Sequence, residues 1–189
     1  MYKNKFKYKF YTLVLFIINS IVFSQVTCPN VNFSDGNFNN WSGSVGLFGA
    51  PDLNPGIFAS NHQILTNNNT DPATCNNLNV IPDGELFSAL LGNASGAESE
   101  KLSYNLTVGV DNSLFIYKYA VVLEDPGHTP ASQPGFSVKI FDNTTGTPVQ
   151  ISNSCGIYEV FAGQGGQDFQ TCGIVKWLPW NSIERFLPI

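Results

Sequence analysis

Ten consecutive residues, Leu114-Phe115-Ile116-Tyr117-Lys118-Tyr119-Ala120-Val121-Val122-Leu123, constrain the fold more than any other stretch. β-Branched and aromatic side chains occupy both parities, a pattern that predicts an extended strand with both faces buried. The run stops abruptly at Glu124-Asp125-Pro126-Gly127-His128, where a proline and a glycine force a turn and place two carboxylates and an imidazole at the surface.

Around this strand the chain keeps a period of two. Leu102, Tyr104, Leu106 and Val108 alternate with Lys101, Ser103, Asn105 and Thr107, and Phe136, Val138 and Ile140 repeat the pattern. Further strands are predicted at 41–48, 63–66, 86–91, 149–152, 157–161 and 174–177, punctuated by Gly, Pro, Asn and Asp clusters. No apolar series keeps a helical period for three turns. The expected fold is therefore all-β: an antiparallel β-sandwich, jelly-roll-like. Two stretches, 49–61 with Pro51 and Pro55 and the asparagine-rich 67–82, read as long loops.

The amino end carries Lys3, Lys5, Lys7 and Lys9 before an apolar stretch from Phe10 to Phe23, and small or branched residues precede Gln25. This is the pattern of an export signal over 1–24, leaving a single domain over 25–189. The apolar stretch is shorter than the about 18–20 residues of a membrane span and is interrupted by Asn19 and Ser20, so the chain is not expected to be an integral membrane protein. Of nine basic residues four lie in that leader, so five remain to face 14 acidic ones. An acidic product with no basic stripe disfavours nucleic acid as a partner.

Export makes disulfides the default state of Cys28, Cys75, Cys155 and Cys172. Three pairings are open. The preferred one joins Cys155 to Cys172 across the Gly163-Gln164-Gly165-Gly166 turn and leaves Cys28 for Cys75. No two cysteines are close in sequence and only His62 and His128 are available to help, which argues against zinc.

Sites of chemistry are sparse. The serine elbow, the His-Glu-x-x-His helix and the phosphate loop are all missing, so no catalytic residue is assigned and an enzyme is not expected. Glu98 with Glu100 and Glu124 with Asp125 supply the paired carboxylates that glycoside cleavage needs. The first pair reads more simply as a solvated strand entry, and the second as turn chemistry. The ligand-binding candidates are Asp125 and His128 in the turn and Trp180, beside Pro179, as an exposed stacking plane. A structural calcium is compatible with the loops at Asp35-Gly36-Asn37, Asn69-Thr70-Asp71 and Asp83-Gly84-Glu85, although none completes a loop signature and no ligands are assigned.

Five segments together carry a likeness to a known family: 32–41 (Asn-Phe-Ser-Asp-Gly-Asn-Phe-Asn-Asn-Trp), 90–93, 97–102, the strand 114–123 with its Asp125-Pro126-Gly127-His128 turn, and Trp177-Leu178-Pro179-Trp180. In these the chain resembles the amino-terminal β-sandwich domain of large adhesin-like surface proteins of gliding bacteria. Such proteins add PKD-type repeats and a gliding-motility-associated carboxyl-terminal domain serving type IX secretion. The resemblance implies an exported, non-catalytic module at the cell surface or outside the cell, with a carbohydrate or a cell-surface protein as partner. A carbohydrate-active enzyme, or its accessory binding domain, is the alternative.

Relatives of that kind continue beyond the Trp-containing segment with further strands and a final cysteine, whereas this sequence stops at Ile189. The expectation is a truncated sandwich lacking its last strands, with an open sheet edge, and periplasmic if the sorting domain is absent. If the family's last cysteine pairs with the equivalent of Cys28, the Cys28–Cys75 pairing fails and one thiol is left over.

Overall fold

The computed structural model describes residues 28–143, 145–148 and 157–187. The segment expected to be an export signal, the strand expected at 149–152 and Cys155 lie outside the described residues. What is described is nearly all β, with antiparallel pairing throughout. No helix there is long and apolar enough to cross a membrane.

The amino-terminal part is built on a sheet of β1 (Trp41–Leu47), β2 (Ala50–Pro55) and β5 (Glu98–Tyr104), in the order β2-β1-β5. β2 falls within a stretch whose prolines predicted a loop. Proline cannot donate to a ladder but is tolerated on an edge strand, and β2 is that edge. The two strands approach so closely that a Cβ on Gly46 would lie 1.8 Å from the Ala50 carbonyl oxygen, so only glycine fits there. One face of this sheet receives the hairpin of β3 (His62–Leu65) and β4 (Ser88–Leu91). His62 is buried, accepting from Phe58 N–H at its Nδ1 while its Nε2 bonds the Lys101 carbonyl. It is a structural link between the hairpin and β5.

The amino-terminal turns are fastened to β1 by Asn30, which is buried. Its amide donates to the carbonyls of Asn37 and Asn39, its Oδ1 accepts from Asp35 N–H, and its own carbonyl accepts from the Trp41 indole. Phe33 stacks on that indole with ring centroids 4.6 Å apart. Satisfying a buried amide at both ends is what allows a segment without regular structure to pack at all.

The principal core lies further along the chain. β6 (Leu114–Glu124) pairs along its length with β12 (Val175–Phe186), and β11 (Gln170–Cys172) extends the sheet on the other side of β12. A second pair, β7 (Gly135–Lys139) with β10 (Ile157–Phe161), packs across from it. Tyr119, Val121, Val160 and Leu178 form the buried cluster, lined by Tyr117, Leu123, Phe136, Tyr158, Phe169 and Ile183. Aromatic rings fill the space: Tyr119 stacks on Phe136, and its hydroxyl lies 2.6 Å from that of Tyr158. Burial, reinforced by the Tyr158 bond, pushes the Tyr119 phenol well above the usual tyrosine range. The group therefore stays neutral, the form a buried hydroxyl pair requires. A short hairpin, β8 (Phe141–Asp142) with β9 (Thr147–Pro148), completes the strands among the described residues.

β6 is half-buried, not buried on both faces. Its odd residues enter the core, while Leu114, Ile116 and Val122 are 44%, 48% and 37% exposed. Among the described residues, the 67–87 segment lies across part of its outer face.

Candidate functional site

That segment is a strap with its own internal order. Asp71 N–H bonds the Leu78 carbonyl, Val80 N–H bonds the Asn69 carbonyl, and Thr70 and Asn79 form a bridge. A 3-10 turn at Pro72–Thr74 makes the bend. Its start is capped by Asp71, whose Oδ1 accepts from Ala73 N–H, and its end falls on Cys75 at φ 57°, a left-handed conformation. Thr74 is fully buried and uses its hydroxyl twice, donating to the Asp71 carbonyl and accepting from Leu78 N–H.

Three fastenings hold the strap to the outer face of the β6–β12–β11 sheet. Cys75 is disulfide-bonded to Cys172. The Trp180 indole donates to the Asn79 carbonyl at 2.7 Å, and Lys118 forms an ion pair with Glu85. Trp177, on the same face as Cys172 by strand register, is buried at 3% exposure. The expected pairings of Cys155 with Cys172 and of Cys28 with Cys75 are thereby corrected. The first assumed that nearness along the chain sets the partner and the second was what remained, whereas the strap carries Cys75 to the sheet edge. Cys28 is free and half-buried, with its sulfur 3.6 Å from the Asn112 amide. Trp180 is also corrected as a freely exposed plane: it is half-buried and its ring nitrogen is committed to the strap.

The turn after β6 brings Asp125 and His128 together as the sequence suggested. Asp125 Oδ1 accepts from the backbone N–H groups of His128 at 3.0 Å and Gly127 at 3.2 Å, and the His128 ring nitrogen Nδ1 lies 3.5 Å away. Gln133 donates to the His128 carbonyl. Asp125 N–H is itself bonded to the Ile174 carbonyl, which docks the turn beside the start of β12.

These contacts, the His128 N–H foremost, hold the Asp125 carboxyl below the usual carboxylate value. A depressed folded pKa stabilises the fold above the unfolded value of about 4, and the contribution is lost as pH falls through the folded value. Asp125→Asn is therefore expected to melt below the unaltered protein at pH 7, with the gap narrowing from about pH 4 downwards. Thermal melts across that range check it; a gap independent of pH would mean that the charge contributes nothing.

The other carboxylate pair is equally occupied. Asn61, buried, donates from one amide nitrogen to Glu98 Oε2 at 3.0 Å and to Glu100 Oε1 at 2.9 Å, and Asn93 donates to Glu98 as well. Both side chains hold the β3–β4 hairpin and its following loop against β5. Among the described residues, no three of His, Cys, Asp or Glu gather where one ion would reach them.

A feature that the sequence reasoning missed is an open cleft of ≈ 470 Å³ between the hairpin and the strap. Ile64, Leu65, Val80 and Leu90 belong to its apolar lining, and Asn67, Asn69 and Asp71 to its polar lining. The only hint in the sequence was the length of the 67–82 loop.

Compared with protein-family models, curated proteins and solved structures, the chain matches none.

Proposed function

We propose that this chain is a non-catalytic, exported recognition module of an adhesin-like surface protein, binding a carbohydrate or a protein surface through its loops. The observation that carries the reading is how the polar side chains are used. Four of the groups with the chemistry to act as acids or bases, Asp125, Glu98, Glu100 and His62, are bound to the backbone or amide groups that fix the loops. Such a pattern favours a rigid surface over a reacting centre, since catalysis needs groups free to exchange protons with a substrate.

Export accords with the Cys75–Cys172 disulfide, a bond that persists in oxidising compartments. Recognition accords with the large side chains left on the surface. Leu47, Phe48 and Leu53, at and beside the β1–β2 tip, are 61%, 51% and 57% exposed. Apolar groups gathered at one tip are a usual mark of a contact surface.

A glycan array probed with the exported chain, run beside an assay for released reducing sugar, tests the proposal. Binding without turnover is the expected result. Sugar release that disappears in Glu98→Gln or Glu100→Gln would establish the carbohydrate-active enzyme instead.

A further inference from the structure

We infer that the cleft between the β3–β4 hairpin and the strap is a binding site for one neutral sugar unit, a reading that rests on the recognition function above. Its volume, ≈ 470 Å³, lies in the range of small-ligand sites, about 300–1,000 Å³. Its walls are fixed in advance. The Ser88 hydroxyl on β4 donates to the Val80 carbonyl of the strap at 2.6 Å, and the bend of the strap is tied to β11 by the disulfide. A cleft whose walls are already joined loses little entropy when it is filled.

The lining selects the ligand class. Ile64, Leu65, Val80 and Leu90 offer an apolar floor, the last 41% exposed. A pyranose ring presents C–H groups on its faces and hydroxyls around its edge, so it meets such a floor and a polar rim at once. The rim is unspent. The side-chain amides of Asn67 and Asn69 make no hydrogen bond with the described residues, and Asp71 commits only Oδ1 to its cap, leaving Oδ2 to accept from a hydroxyl. Amides both donate and accept, as vicinal hydroxyls require. Among the described residues Asp71 is the one ionisable group in the lining and no Lys, Arg or His accompanies it, so an acidic sugar would be repelled without compensation. This contrasts with Asp125 and His128, whose turn is closed by its own bonds.

The test is calorimetric titration of the exported chain with neutral glycans found on the array, and with sialylated and sulfated counterparts. The double variant Asn67→Ala/Asn69→Ala is expected to bind the neutral glycan about tenfold more weakly, the effect of losing two modest hydrogen bonds, with an unchanged melting temperature. Asp125→Ala/His128→Ala is expected to bind as the unaltered chain does. Glycan binding that survives the first double variant, that is lost in the second, or that prefers acidic sugars overturns the cleft while leaving the recognition function standing. An array with no glycan signal overturns the cleft together with the carbohydrate arm of that function.

Discussion

Replacing Cys75 and Cys172 together by serine is expected to lower the unfolding free energy by about 4.7 kcal/mol, the value that loop-closure entropy gives for a cross-link spanning 97 residues. A domain with about 5–15 kcal/mol in hand would lose a large share of its stability. The effect is large because the covalent bond closes 97 residues of chain, from the strap to the last sheet, so the unbridged unfolded chain gains the freedom of everything between. Urea unfolding of the double variant, compared with the intact protein, measures it. A loss under about 1 kcal/mol would mean that the strap is held by its packing and by the contacts of Trp180, Lys118 and Ser88, and that the disulfide merely decorates it.

Trp177→Ala is expected to cost about 3–5 kcal/mol, the range for removing a large buried aromatic. Trp177 stands opposite Val122 and Gln170 on the face away from the Tyr119–Val160 cluster, and is 3% exposed. Its burial reports the strap closed over that face, since β11 and β12 both contact the 3-10 turn at Pro72–Thr74. Trp180→Phe, which removes the hydrogen bond to the Asn79 carbonyl together with the pyrrole part of a half-buried ring, is expected to cost about 1–2 kcal/mol. Chemical unfolding of the two variants side by side checks the ordering. Equal costs would place the weight of strap attachment on the hydrogen bond and not on packing.

Local pattern carried much of the fold. The strand at 157–161 was legible to the residue, and β1, β3 and β7 to within a residue or two, because alternation and flanking turn residues act over a few positions. β12 runs well beyond the expected 174–177, since Asn181, Ser182, Glu184 and Arg185 give no apolar signal yet pair with β6 in register. The bulge between Leu178 and Asn181 further breaks the period that would have revealed it. β2 was hidden by its prolines, which an edge position tolerates.

The candidate site was less legible. Asp125 and His128 do come together, as a turn of Asp-Pro-Gly-His should, but the bonds between them close the turn on itself. Trp180 faces the strap through its ring nitrogen. The cleft combines Ile64 with Val80 and Leu90, and no rule of spacing announces such a meeting.

From the sequence came the all-β character, the antiparallel strands and the aromatic filling of the core, because each follows from which side of a pleat a residue occupies. Only the tertiary structure decided the cysteine partner, the half-exposed outer face of β6 and the cleft beneath the strap. These depend on where a long loop lands. A loop's landing point is set by the fit of surfaces far apart in the chain, which neighbouring residues do not encode.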